Sequence, residues 1–300
     1  MPTDYDLRME TTDIAGSHRA LWGEGPIWSQ NRLYYVDIEG RTLIEYDPAS
    51  NREFTWDVSS TIGRVGTVVP RAKAGPEGSL VLAGDTGIHF FNPETNTASL
   101  ITDPESTNPD NRFNDGKCSP DGRLFAGTIS LVKKTGDANL YRLDPDLSIH
   151  TAFKGVTNSN GIVWSRDSST CYYIDTPRQE VLAFDYSPAT GELSHVRSAF
   201  STKHIDASPD GMAIDSNDHL WIAFCHGACV ICYDPSSGKQ LHRIELPCLE
   251  TTACSFGGEN LDELYVTTGI HKEIDEQQAG RLFRVRGLGA TGVPANPFRG

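Results

Sequence analysis

Three polar residues occupy the same local setting far apart in the chain. Glu24 precedes Gly25-Pro26-Ile27-Trp28, Asn160 precedes Gly161-Ile162-Val163-Trp164, and Asp210 precedes Gly211-Met212-Ala213-Ile214. Each stands before a glycine that opens a short apolar run. Carboxylate and amide oxygens gathered from separate stretches are the ligands a hard divalent cation takes. In an apolar core such groups cost free energy unless they are paired or bound to metal. Asp-Gly and Asn-Gly are also common turn dipeptides, and that reading accounts for Asp121-Gly122. It does not account for Glu24, because glutamate is a poor turn former.

The setting recurs along the whole sequence. The leading glycines fall at 25, 66, 116, 161, 211 and 257, with intervals of 41, 50, 45, 50 and 46 residues. Each unit continues into an apolar strand, as in Leu33-Tyr34-Tyr35-Val36-Asp37, Cys171-Tyr172-Tyr173-Ile174-Asp175 and Leu220-Trp221-Ile222-Ala223. A further strand ends on an aromatic and an aspartate, as in Tyr46-Asp47-Pro48 and Tyr233-Asp234-Pro235. Repeats of this length made of strands and turns are propeller blades. The predicted fold is all-β, a six-bladed β-propeller with four-stranded blades around a central channel. Six units leave no linker over, so residues 1–300 are expected to form a single domain. An irregular β-sandwich, the alternative, would not repeat one internal order of strands.

In a propeller the innermost strand of each blade lines the channel. The residues before the leading glycines are therefore expected to face one another: Glu24, Val65, Asp115, Asn160, Asp210 and Phe256. The ring must also close, since an open sheet edge invites aggregation. The segment from Tyr5 to Ile14 is expected to add an outer strand to the last blade.

Composition narrows the function classes. Of the 300 residues 38% are hydrophobic, enough for a core, and 28 Gly with 17 Pro make the chain rich in turns. A formal net charge of −14 disfavours nucleic acid and anionic membranes as partners. No run of 18 apolar residues spans a bilayer, and Met1-Pro2-Thr3-Asp4-Tyr5-Asp6 does not read as a signal peptide. The odd count of 7 cysteines at irregular spacing points to reduced thiols in the cytoplasm. Cys225, Cys229 and Cys232 can be read as a zinc site with His226 as fourth ligand. Their place across a hairpin favours ordinary buried thiols. His204 and His271 read as loop residues near the channel rim. No Gly-x-Ser-x-Gly elbow supports a serine hydrolase, and no glycine-rich phosphate loop stands out.

The sequence resembles the regucalcin/gluconolactonase family, the senescence-marker-protein family. The matching stretches are Gly23-Glu24-Gly25-Pro26-Ile27-Trp28, Arg112-Phe113-Asn114-Asp115-Gly116-Lys117, Phe125-Ala126-Gly127-Thr128, Ser159-Asn160-Gly161, Pro209-Asp210-Gly211-Met212 and Phe256-Gly257-Gly258. They run in order over nearly the whole chain. The resemblance implies one divalent metal ion in the channel, with Glu24, Asn160 and Asp210 as ligands, the residues already picked by the repeat. It also implies that Arg112 and Asn114 contact substrate, with Asn114 near the metal. The chain departs from the animal members at Thr128-Ile129-Ser130-Leu131-Val132-Lys133-Lys134, where a substrate-contacting glutamate is expected and no acid occurs. Lys133 and Lys134 read as solvated loop residues.

The implied activity is hydrolysis of a sugar lactone to the aldonic acid. A metal polarises the carbonyl and activates water, Asp210 acts as ligand and general base, and Arg112 with Asn114 orients the ring. Oxygen ligands suit calcium or magnesium, while zinc, manganese or ferrous iron also fit an open site. The expected partner is a small sugar lactone, and the expected assembly a monomer or small homo-oligomer. Two rival readings use the same scaffold. One is a hydrolase of other lactones, esters or organophosphates. The other is a non-enzymatic calcium-binding propeller.

Overall fold

The computed structural model describes residues 10–300, which form six antiparallel four-stranded sheets. Five sheets are simple meanders of consecutive strands. The innermost strands are Gly23–Ser29, Val65–Gly75, Asn111–Cys118, Ser159–Trp164, Ser208–Ile214 and Thr251–Gly257. Each packs against the innermost strands of its two neighbours, so the six close into a ring. The only helical turn among the described residues is the 3-10 segment Thr176–Arg178. The architecture is the six-bladed propeller read from the repeat.

Burial explains why each unit folds as a meander. Residues of the inner strands are almost all buried, as along Ser159–Trp164. The outer strands Arg52–Asp57, Thr97–Thr102 and Glu192–Ser201 are largely exposed. Their charged and hydroxyl side chains discourage pairing with another chain. Between blades, aromatic rings interlock. Trp28 stacks on Tyr265 at 5.5 Å between blades one and six, and Phe125 meets Trp164 at 5.2 Å between blades three and four.

Blade six is built from both ends of the chain. Strand Thr11–Ala15 pairs antiparallel with Leu282–Arg286 and forms its outer edge. Asp13 also bonds the guanidinium groups of Arg284 and Arg286, at 2.8 and 2.9 Å. The expected closure is thus present for the part of the segment from residue 10 onward. Its first part, from Tyr5 to Met9, lies outside the described residues.

A feature absent from the repeat crosses one end of the channel. Residues 287–300 cross the face where the inner strands finish. The Ser216 amide donates to Thr291, and the Phe298 amide donates to the Pro70 carbonyl at 2.8 Å. The Arg299 amide donates to Gly122 at 3.0 Å. Phe298 is fully buried, worth roughly 1.5–3 kcal/mol of apolar transfer. Beneath this tail lies a cavity of about 90 Å³, lined by Trp28, Lys117, Trp164, Ile214, Phe256 and Pro294 among others.

The aspartates that close the second strands have a local task. Asp37 accepts hydrogen bonds from the amides of Leu21, Trp22 and Gly40. Asp175 accepts from the amides of Thr157 and Asn158. Each carboxylate therefore fixes the loop that delivers the chain into an inner strand, just before the polar residue of that strand.

Candidate active site

The polar residues sit where the inner strands lose register with their neighbours. The pairing is irregular between Glu24 and Ile27, Val65 and Thr67, Phe113 and Gly116, Ser159 and Ile162, Pro209 and Met212, and Thr251 and Ala253. An extra residue at such a bulge re-aims its side chain. Beyond the bulges the strands are again in step. Trp28, Pro70, Cys118, Trp164, Ile214 and Phe256 each pair with a leucine or cysteine near the start of the next strand. Four residues back from these stand Glu24, Gly66, Asn114, Asn160, Asp210 and Thr252.

This ring differs from the one the glycines suggest. Glu24, Asn160 and Asp210 hold their places. Val65 and Asp115 are each displaced by one residue, in favour of Gly66 and Asn114. Phe256 is displaced by four, because blade six carries Ala253 at the position that is Gly25, Gly161 and Gly211 in blades one, four and five. The leading-glycine spacing misses this, since Gly257 is not the counterpart of Gly211. Gly66 is required by close approach. A Cβ there would lie 2.4 Å from the Asn114 carbonyl oxygen and 2.5 Å from that of Phe113.

Arg112, Asn114 and Asn160 form one hydrogen-bonded chain. Arg112 Nη1 donates to Asn114 Oδ1 at 2.8 Å and to the Phe113 carbonyl at 2.8 Å. Asn114 Nδ2 donates to Asn160 Oδ1 at 3.0 Å and to the Ser159 carbonyl at 2.7 Å. Asn160 Nδ2 donates to Thr176 Oγ1 at 2.7 Å, whose hydroxyl donates to the Pro209 carbonyl. The 3-10 turn thus fixes which face of the Asn160 amide carries oxygen. Arg112 is buried, and its Nε has no hydrogen-bond partner among the described residues. A buried donor without an acceptor is costly, and an oxygen-rich ligand would satisfy it.

Three carboxylates share the same interior. Glu24, Asp115 and Asp210 are 3%, 4% and 6% exposed. Glu24 accepts from the Gly25 amide at 2.8 Å and Asp115 from the Gly116 amide at 2.7 Å. Burial and the charge of Asp115 push the Glu24 carboxyl up. Burial and the charges of Glu24, Asp115 and Glu250 push Asp210 well above its usual range. Burial raises Asp115 as well, against the opposing charge of Lys117. Lys117 is engaged by the Met212 carbonyl. Burial lowers the Arg112 guanidinium to about 10, with Arg64 adding to the effect. Anions gathered in a low-dielectric interior favour any cation that can reach them. The donor set of Glu24, Asn160 and Asp210, all oxygen, therefore fits a hard divalent ion.

The remaining sequence candidates fall elsewhere. His204 is exposed, as are Lys133 and Lys134, and Lys134 pairs with Asp137. The three clustered cysteines do not converge. Cys229 packs in the core of blade five, and Cys232 groups with Asp215 and His219. Cys225 instead meets Glu250, which His226 and His271 also approach. An acid does stand beside the strand that carries Thr128. Glu105 accepts from Thr128 Oγ1 and from the Tyr141 hydroxyl, both at 3.0 Å. It comes from a loop after blade two, so no local motif announces it.

Residues 22–270 match the family model of the SMP-30/Gluconolactonase/LRE-like region. The chain belongs to this family. Among relatives, it is 36% identical to regucalcin of Gallus gallus over 300 residues, covering 96% of this chain and 98% of the relative. It is 35% identical to a Bacillus subtilis (strain 168) protein named "Putative sugar lactone lactonase YvrE", over 94% of this chain and 96% of that one. Among solved structures, a luciferin-regenerating enzyme superposes with a TM-score of 0.90 at 28% identity, over 97% of this chain and 99% of the other. Family membership agrees with lactonase chemistry on a propeller scaffold. No helix among the described residues is long and apolar enough to cross a membrane.

Proposed function

We propose that this family member hydrolyses a sugar lactone with the help of one divalent metal ion, held by Glu24, Asn160 and Asp210. The observation that carries the reading is the set of three buried carboxylates, none in an ion pair among the described residues, beside a buried arginine whose Nε lacks an acceptor there. The bacterial relative named as a sugar lactone lactonase supports the substrate class.

A divalent cation, when bound, polarises a carbonyl and lowers the cost of a proton leaving water. The chain's own groups do the rest. Asp210 accepts a proton from the water that attacks the lactone carbonyl carbon. The ring C–O bond then breaks, and the same carboxyl returns a proton to the departing ring oxygen. The product is a hydroxy acid, with one water consumed. Arg112 Nε donates to substrate oxygen, while Asn114 keeps the guanidinium in place. Because the C-terminal tail crosses one end of the channel, substrate enters in this reading by the opposite mouth. Calcium or magnesium suits the ligands, and zinc, manganese or ferrous iron is compatible with an open coordination sphere. Residues 1–300 act as one domain in this reading.

The test is hydrolysis of five- and six-membered aldonolactones by metal-stripped protein, with each divalent ion added back. Acid release that depends on the ion is the expected result. Tight binding of an ion with no turnover of any lactone would leave a metal-binding propeller or a non-sugar esterase in its place.

A further inference from the structure

Near the channel mouth, a second group of side chains has a different chemistry. Glu250 precedes the inner strand of blade six and is 1% exposed. Its Oε2 lies 2.8 Å from Cys225 Sγ, and its Oε1 lies 2.9 Å from His226 Nδ1. The sulfur, the nitrogen and a carboxylate oxygen all fall within 4.8 Å of one another. His271 approaches from a third stretch of chain, with Nε2 3.8 Å from the same carboxylate. Its ring meets that of His226 edge-on at 6.2 Å. His226 is held at a φ of 65°, a left-handed conformation uncommon for a residue with a side chain.

We propose that Cys225, His226 and Glu250 form a second metal site, selective for a borderline-soft divalent cation such as zinc and separate from the oxygen-only site of Glu24, Asn160 and Asp210. Thiolate, imidazole and carboxylate are zinc's usual ligands, and three protein ligands leave a fourth position open. His271 stands beside the site as a further donor or as a partner for bound water.

A comparison within the molecule supports this choice. Asp215, His219 and Cys232 form another group of the same composition. There the Asp215 carboxylate already accepts from the amides of Asn217 and His219 and from Trp221 Nε1. It is spent on holding a turn. Glu250 is engaged mainly by groups that are themselves metal ligands, with one amide, that of His226, at 3.2 Å. Burial, with Asp210 and Glu250 nearby, pushes the Cys225 thiol well up, so the metal must displace the thiol proton as it binds.

The binding step balances simply. The thiol releases one proton to solvent, and the sulfur's electron pair bonds the metal. The imidazole moves its proton from Nδ1 to the exposed Nε2, which frees Nδ1 as a ligand. The site then ties blade five, which carries Cys225 and His226, to blade six.

Cobalt(II) is the probe, because a thiolate ligand gives it a near-ultraviolet charge-transfer band that oxygen ligands do not. Metal-free full-length protein is titrated with cobalt and then with zinc. The expected band saturates at one equivalent of thiolate-bound cobalt and is displaced by zinc. It disappears in Cys225→Ser, survives in Cys232→Ser, and needs roughly tenfold or more cobalt in His226→Ala. Glu24→Gln leaves it in place. Circular dichroism confirms that each variant is folded, and Cys225→Ala serves if the serine variant is not. Absence of the band in the folded parent, or its survival without Cys225, overturns the proposal. Lactone turnover plays no part in the readout, so this result is independent of the proposed activity.

Discussion

The same six inner strands have two ends with opposite characters. At their start stand Glu24, Asn114, Asn160 and Asp210, buried, polar and placed at breaks in the pairing. Four residues further on stand Trp28, Cys118, Trp164 and Ile214, joined by Phe256 of blade six, in regular register and covered by the C-terminal tail. One end gathers charge that destabilises an empty fold. The other supplies apolar packing that offsets it. The proposed chemistry and the apolar packing are thus separated along a single strand by one bulge.

Substitutions at the two ends should separate in the same way. The largest effect on activity is expected for Asp210→Asn. It should lower kcat/KM for a lactone by roughly 10²–10⁴-fold, the range of general-base catalysis. Metal-free Asp210→Asn should melt no lower than the metal-free parent, because a neutral amide of the same shape replaces a carboxyl whose charged form burial and Glu24 disfavour. A lower melting temperature would mean that Asp210 also supports the fold.

Phe298→Ala attacks the other end. The ring is fully buried, so about 3–5 kcal/mol of stability should be lost in denaturant unfolding. The fraction that remains folded should keep the parent's KM. A changed KM would show that the two ends are coupled through the channel.

Gly66→Ala lies between these extremes. The new methyl group would press on the Phe113 and Asn114 carbonyls. A loss of about 1–3 kcal/mol is expected, together with a raised KM as Asn114 shifts. Loss of stability alone would place Asn114 outside substrate binding.

The smallest effect is expected for Lys134→Ala. Its pair with Asp137 lies at the surface, so neither the unfolding midpoint nor turnover should move measurably. A clear change in lactone preference would bring the loop after Ser130 into the site.

The two ends also differ in how far the sequence reveals them. Apolar runs such as Leu33-Tyr34-Tyr35-Val36 and Leu220-Trp221-Ile222-Ala223 repeat, and with the turns between them they specify the blades. Glu24, Asn160 and Asp210 stand out because each is polar where the repeat demands burial. Asn114 and Thr252 are harder to place, since a bulge adds a residue that no periodic count includes. Blade six hides its bulge further, with Ala253 standing where a glycine would mark it. Glu105 and Glu250 are invisible to any repeat, because each reaches its partners from a loop. The C-terminal tail has no strand pattern at all, and its docking on Pro70 and Gly122 emerges only in three dimensions.

Blade six carries one more consequence. Asp13 meets Arg284 and Arg286 across 271 and 273 positions of sequence. Five blades can form from neighbouring hairpins, but the sixth must wait until two distant segments meet. The entropy of closing so long a loop is met in one late step. On a ribosome, the first five blades can be complete while Leu282–Arg286 is still being made. The ring then behaves like a bracelet with a single clasp. Release of strand Thr11–Ala15 would bare the edge of Leu282–Arg286, and so give heat or protease one place to begin.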